Sequence, residues 1–274
     1  MKISVVIPAF NRVETLARAI DSVLAQSYKA SEIIVVDDGS SDATSEVAKM
    51  YPEVLLLRQN NMGVSTARNN GVMMASSEWI AFLDSDDTWH PKKLAFQIAH
   101  HKKNPFSKVS YTDEVWIRAD KEWPIPKKFH KPETVLFENS LDYCNIAPSS
   151  VLINKEYFER VGGFDEKLEV CEDYDLWLRI LKEGSIDLVP QKLINKYGGA
   201  EDQLSMKYKF LDRWHIISLF KHLTKETSAS ACFENPLVRE KILSMCEGLQ
   251  RAALKYKDEQ LLDECAVWML RLNE

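Results

Sequence analysis

Trp79-Ile80-Ala81-Phe82-Leu83-Asp84-Ser85-Asp86-Asp87 is the stretch on which the reading of this chain turns. Five apolar residues run without a break into four polar ones, three of them carboxylates. An apolar run of this length suits a strand buried on both faces, as in a parallel sheet. The pattern recurs upstream at 3–7 (ISVVI), 32–36 (EIIVV) and 53–57 (EVLLL). Helical patterns lie between the runs. Leu16, Ile20, Val23 and Leu24 mark one helix face, a second helix is expected to start near Ser41, where Ser and Asp accept the free N–H groups of a first turn, and a third spans about 63–75. This order predicts an α/β fold, a doubly wound, mostly parallel sheet flanked by helices with right-handed crossovers. In such sheets ligands bind beyond the carboxyl ends of the strands. Three loops meet there: Pro8-Ala9-Phe10-Asn11-Arg12, Asp37-Asp38-Gly39-Ser40-Ser41-Asp42 and Asp84-Ser85-Asp86-Asp87.

Composition narrows the classes. The chain has 274 residues, 45% hydrophobic and 28% charged, ordinary for a globular protein. Its net charge of −6 gives no global reason to hold nucleic acid. Five cysteines, Cys144, Cys171, Cys232, Cys246 and Cys265, are odd in number and contain no C-x-x-C pair, which fits a reducing, cytoplasmic setting better than a disulfide framework or a zinc ribbon. No apolar stretch is long enough for a transmembrane helix, and the N-terminal one is too short for a signal peptide.

Beyond Asp87 the sequence predicts a helix from Pro91 to about Lys103, strands at 108–117 and 149–153, a short helix capped by Asn154 and ending at Gly162, and another from Glu172-Asp173 to just before Gly184. Residues 205–272 read as two or three amphipathic helices. Met206, Phe210, Trp214 and Ile217 form an apolar stripe beside Lys207, Lys209, Arg213 and Lys221. That stripe either packs on the rest of the molecule or lies on an anionic membrane as a peripheral contact.

Two acidic clusters facing one crevice repel each other unless a cation or ligand donors stand between them. Carboxylates without Cys or His favour the hard ions Mg²⁺ or Mn²⁺. Asp-x-Asp alone is weak, since Asp and Ser also favour turns; its place directly after an apolar strand is what points to a site. Neither G-x-G-x-x-G nor G-x-x-x-x-G-K-[ST] occurs, so no Rossmann or P-loop cradle is expected and ATP and NAD should bind poorly.

Ser4-Val5-Val6-Ile7-Pro8-Ala9-Phe10-Asn11, Val35 to Asp42, Ala67-Arg68-Asn69-Asn70-Gly71, Phe82 to Asp87, Val161-Gly162-Gly163-Phe164-Asp165 and Glu172-Asp173-Tyr174-Asp175-Leu176-Trp177-Leu178-Arg179 together resemble family 2 glycosyltransferases of the GT-A fold. The likeness covers about residues 2–200. It implies a catalytic domain over 1–204, with a nucleotide-sugar half (1–104) and an acceptor half (105–204), followed by a helical extension over 205–274. It implies that Pro8, Ala9, Asn11 and Arg12 line the nucleotide site and that Asp38 accepts from the base. An imide N–H suits that acceptor, so a UDP-sugar is the favoured donor. Arg68 would face the sugar diphosphate, Asp86 would bind Mn²⁺ or Mg²⁺, and Asp84 and Ser85 would complete the motif toward ribose or metal. Asp173 is implied as the catalytic base, with Glu172 as its rival.

The implied reaction is a single inverting displacement, in which an acceptor hydroxyl of a growing glycan or lipid-linked saccharide loses its proton to Asp173. The loop 197–205 lacks a His for a third metal ligand; Glu201, Asp202 or water would take its place. Gly162-Gly163 serve either a close approach to acceptor or a helix C-cap. Trp116, Trp123, Tyr143, Trp177 and Tyr197 are candidates for stacking on sugar, with core packing as the plainer role. A catalytically silent nucleotide-sugar-binding module and a sugar-1-phosphate nucleotidyltransferase are the rival readings.

Overall fold

The computed structural model describes residues 1–132, 135–199, 208–226 and 232–272. The strands and helices β1 (Ile3–Ala9), α1 (Leu16–Leu24), β2 (Glu32–Asp37), α2 (Thr44–Lys49), β3 (Val54–Arg58), α3 (Val64–Met74) and β4 (Trp79–Phe82) alternate as the apolar runs predict. There follow β5 (Thr88–Trp89), α4 (Lys93–Lys103), β6 (Val109–Arg118), β7 (Lys121–Trp123), α5 (Phe137–Ser140), β8 (Leu152–Asn154), α6 (Lys155–Arg160), α7 (Glu172–Glu183) and β9 (Asp187–Tyr197). The C-terminal part holds α8 (Asp212–Phe220), β10 (Thr224–Glu226), β11 (Cys232–Glu234), α9 (Pro236–Tyr256) and α10 (Glu259–Arg271).

Among the described residues the main sheet runs β3-β2-β1-β4-β8-β6-β9-β5, with β7 on the side of β6. Strands β3, β2, β1 and β4 are parallel, β8 is antiparallel to both β4 and β6, and β9 returns parallel to β6. Because β2 and β4 flank β1 on opposite sides, the chain winds both ways from β1. Its carboxyl end is thus the switch point where a doubly wound sheet opens a crevice.

Alternate residues of these strands feed two cores. Val6, Ile34, Val36, Ile80 and Phe82 pack with Ala67 and Val72 of α3 and with Leu176, Trp177 and Ile180 of α7. Val5, Ile7, Val35 and Ala81 pack on the other face with Leu16, Ile20 and Val23 of α1 and with Leu94 and Ile98 of α4. Gly71 lets α3 lie close on the sheet, since a Cβ there would stand 2.3 Å from Cγ1 of Val6. A third core joins Tyr174 and Leu178 of α7 to Ile216, Leu219 and Phe220 of α8, and to Val238, Ile242, Cys246 and Leu249 of α9 and Leu261 and Cys265 of α10. The C-terminal helices therefore support the helix that carries Asp173.

Two expectations need correction, and one open alternative is decided. The segment read as helices alone also contains the antiparallel pair β10 and β11. The apolar stripe does not run as drawn: Met206 lies outside the described residues, Phe210 is left-handed (φ 57°), and α8 starts only at Asp212. A left-handed residue breaks the helical register, so 216, 219 and 220 pack inward while Ile217 remains 37% exposed. Lys221, counted toward a membrane-facing charge, is ion-paired with Asp165 and with Asp175 at 2.8 Å. Finally, Gly162 (φ 88°) and Gly163 (φ 62°) end α6: the Gly163 N–H bonds to Phe158 O at 3.0 Å, and Arg179 donates to the carbonyls of Val161 and Gly163. This is C-cap geometry.

The third core also sets an acid limit. His222 is 2% exposed, and burial with Lys182 nearby pushes its pKa down to about 4. The unfolded chain binds that proton near pH 6.5 and the folded chain only near 4, so the contribution to stability is complete above 6.5 and is lost as pH falls toward 4. The melting temperature should drop across this window, and His222→Phe should make the drop shallower. Identical slopes in both proteins would show that the ring is not held neutral.

Candidate active site

At the switch point a cleft of about 800 Å³ opens. Its walls include Pro8, Ala9, Asn11, Arg12, Asp38, Arg68, Asp84, Ser85 and Asp86, together with Asp87, Lys196, Tyr197 and Tyr208. The residues expected from the loops after β1, β2 and β4 and from α3 to touch donor or metal thus meet at one cleft.

The loops after β1 and β2 are tied to each other. Asn11, left-handed at φ 53°, accepts the Ser41 N–H through Oδ1 at 2.9 Å, and its own N–H donates to Ser40 Oγ at 2.9 Å. The Arg12 N–H donates to Thr44 Oγ1 at 2.7 Å. Asp37 is fully buried and serves the loop, accepting from the Ser40 N–H at 2.9 Å and from Ser45 Oγ. Burial works against its charge, but those bonds and Arg58 hold its carboxyl below the usual range. Asp38, the next residue, faces the cleft. It accepts from Gln59 Nε2 (2.8 Å), Met62 N–H (2.8 Å) and Gly63 N–H (2.9 Å). A carboxylate has about four acceptor sites, so room for one further donor remains. Asn70 extends this chain by donating to Gln59 Oε1 at 2.7 Å.

Arg68 lines the cleft as expected, but its charge is already engaged there. Its side chain is 4% exposed, with Nη2 2.7 Å from Asp84 Oδ1 and Nη1 2.5 Å from Glu172 Oε1. Its guanidinium also lies over the Phe164 ring at 5.0 Å. The arginine is therefore a buried brace between the acidic turn after β4 and the start of α7, and not an open anion ligand. Asn69 ties the same helix to Phe164 and Glu166. Burial pushes the Glu172 carboxyl up, to about 7, against the pull of Arg68.

That arrangement separates the two acids at the start of α7. Glu172 is 6% exposed and engaged by Arg68, whereas Asp173 is half-buried and accepts the Tyr174 N–H at 2.8 Å. Cys171, left-handed at φ 61°, turns the chain into the helix here. Asp173 is not among the residues lining the cleft, but it lies within electrostatic reach of Lys196, which is.

Asp84 and Asp86 are half-buried, and Asp87 is 2% exposed. Asp87 accepts from Ser149 Oγ (2.8 Å) and the Tyr197 N–H (3.2 Å). Burial and its neighbours Asp86 and Asp84 push its pKa well above the usual carboxylate range. The donor chemistry at the turn suits a hard divalent cation: two half-exposed carboxylates, with Arg68 engaging one oxygen of Asp84. Among the described residues no group of three or more His, Cys, Asp or Glu is placed to cage a metal, so substrate oxygens and water would complete its shell. Glu201 and Asp202, named for a third ligand, lie outside the described residues.

Arg18 and Lys196 escaped the sequence reading. Arg18 Nη2 donates to Asp86 O at 2.6 Å, and its guanidinium lies 3.8 Å from the Tyr197 ring centroid. Burial opposes the charge of Lys196, but Glu114, Asp87, Asp84 and Asp173 outweigh it and hold its pKa above the ordinary value. No motif announces either residue. Of the aromatic candidates, Trp177 is 3% exposed and donates to Ile146 O, so it is core, whereas Trp123 and Tyr143 are exposed and Tyr197 lines the cleft.

A parallel sheet wound from β1, with an acidic turn after β4 and a helix bearing Glu-Asp opposite, is the GT-A scaffold of sugar transferases. The chain belongs to glycosyl transferase family 2, whose profile matches residues 4–162. It is 31% identical over 264 residues to the Escherichia coli UDP-Glc:alpha-D-GlcNAc-diphosphoundecaprenol beta-1,3-glucosyltransferase WfgD, covering 93% of this chain and 97% of that protein. It is 34% identical over 186 residues to the E. coli enzyme of the same activity WfaP, covering 66% and 71%. S. aureus TarS 1–349 in complex with UDP-GlcNAc shares the fold at a TM-score of 0.69 and 17% identity, over 89% of this chain and 71% of that one. The complex of TarS 1–349 with UDP gives 0.64 and 18%, over 89% and 70%. Among the described residues no helix is long and apolar enough to cross a membrane.

Proposed function

We propose that this glycosyltransferase moves a sugar from a UDP-sugar to a hydroxyl of a lipid-linked saccharide, with inversion, at the cytoplasmic face of a membrane and in the assembly of a cell-surface polysaccharide. The observation that carries the reading is the single cleft joining Asp38, Asp84, Asp86 and Lys196, with Asp173 close to the last. The relatives' names agree with it: WfgD and WfaP use UDP-Glc, act on a diphosphoundecaprenol-linked GlcNAc and form a beta bond.

In this reading Asp38 accepts the imide N–H of uracil, and the tied loops after β1 and β2 hold the ribose. Asp84 and Asp86 would hold Mn²⁺ or Mg²⁺, which when bound supplies positive charge against the diphosphate. Asp173 accepts the proton of the attacking hydroxyl as its oxygen bonds to the anomeric carbon. Because attack comes from the face opposite the diphosphate, an α-linked donor yields a β product. The buried brace Arg68 keeps the acidic turn and the base helix in register for that step.

Calorimetry of UDP with and without Mn²⁺ tests the donor and cation together. Mn²⁺ should tighten UDP on the wild-type chain, and Asp86→Ala should abolish the tightening while leaving the metal-free affinity unchanged. Superimposable titrations of the wild type with and without Mn²⁺ would reject the cation, and tighter binding of ATP than of UDP would reject the nucleotide.

A further inference from the structure

The cleft is lined by three cationic side chains among the described residues, Arg12, Arg68 and Lys196. Arg68 is closed off between Asp84 and Glu172. Arg12 belongs to the loops after β1 and β2, where its N–H meets Thr44 and its Nη1 donates to Asn11 O. Lys196 stands at the other end, beside the acidic turn, and its position there is built. The next residue, Tyr197, donates its N–H to Asp87 Oδ1, and Asn195 Nδ2 reaches Thr88 Oγ1 at 3.2 Å. Arg18 grips both sides of the junction, through Asp86 O and the Tyr197 ring. The end of β9 is thus fastened to the turn that bears Asp84 and Asp86.

Charge balance at that turn calls for such a cation. Two carboxylates cancel the two charges of any divalent ion they hold, and Asp173 stands near. A diphosphate entering this end of the cleft would meet no surplus of positive charge without a further group. We propose that Lys196 is the diphosphate-binding cation of the cleft, its ammonium donating to the outer phosphoryl oxygens of the nucleotide diphosphate. The proposal rests on the UDP-donor reading above and adds to it the residue that distinguishes a diphosphate from a monophosphate. In the reaction the same ammonium faces the leaving group, where charge accumulates as the anomeric C–O bond breaks and the electron pair stays on the diphosphate oxygen.

The test is titration of UDP and UMP into the full chain in Mn²⁺, for wild type, Lys196→Gln and Lys196→Arg. Loss of a charge-assisted bond to phosphate should weaken UDP binding by about 10- to 100-fold in Lys196→Gln, with UMP little changed, and Lys196→Arg should recover most of the UDP affinity. Equal weakening of both nucleotides would reveal a merely structural residue and overturn the proposal, as would unchanged UDP binding. A wild type that binds neither nucleotide would sink the donor reading, and this proposal with it.

Discussion

Asp173→Asn should lower transfer by about 10²- to 10⁴-fold, the usual share of a general base, and leave UDP affinity unchanged. Asn keeps the shape of Asp but takes up no proton, so the loss reports proton transfer and not packing. The structure separates Asp173 from its neighbour by engagement: Glu172 is buried against Arg68, while Asp173 remains half-buried near Lys196. Single-turnover transfer from UDP-glucose, run beside UDP titrations, makes the measurement. Glu172→Gln should retain transfer. If Glu172→Gln loses it and Asp173→Asn does not, the two acids exchange roles.

Arg68→Met should destabilise the fold by about 3–5 kcal/mol, the cost of leaving a buried ion without its partner. For a chain of this size that corresponds to a fall in Tm of roughly 10 °C. Arg68 joins Asp84, Glu172 and Phe164, which come from the acidic turn, from α7 and from the loop after α6. Methionine preserves volume and removes the charge, which leaves the buried Glu172 carboxyl and one oxygen of Asp84 without their partner. Adding Glu172→Gln to Arg68→Met should recover much of the loss, because the most buried charge is then also gone. Thermal melts of the two single variants and the double variant give the coupling directly. Strict additivity would mean that the brace is not one unit.

The parallel half of the sheet was legible because strands buried on both faces leave a continuous apolar run, and β1, β2 and β4 are buried almost throughout. The helix α7 was legible from Glu172-Asp173 at its start and Gly184 at its end. Strand β9 was not. Its run Asp187-Leu188-Val189-Pro190-Gln191-Lys192 is broken by a proline and by polar residues, and Pro190 falls where the pairing with β6 shifts register between Thr112 and Asp113. A proline is tolerated at such a bulge, so the strand exists only because β6 lies beside it. Lys196 stayed hidden with it, being an ordinary lysine until the end of that strand is brought to the acidic turn.

Local order along the chain was enough to name the strands around β1, the edge on which ligands sit and the acids gathered there, because apolar period and turn chemistry are properties of neighbouring residues. It was also enough for the kinship with sugar transferases, carried by six short motifs. What each charged group does required the third dimension. Whether Arg68 braces or binds, which of Glu172 and Asp173 it engages, and which lysine attends the acidic turn all depend on residues more than 100 positions apart. Charges act through space and burial, and neither is written in the spacing of a sequence.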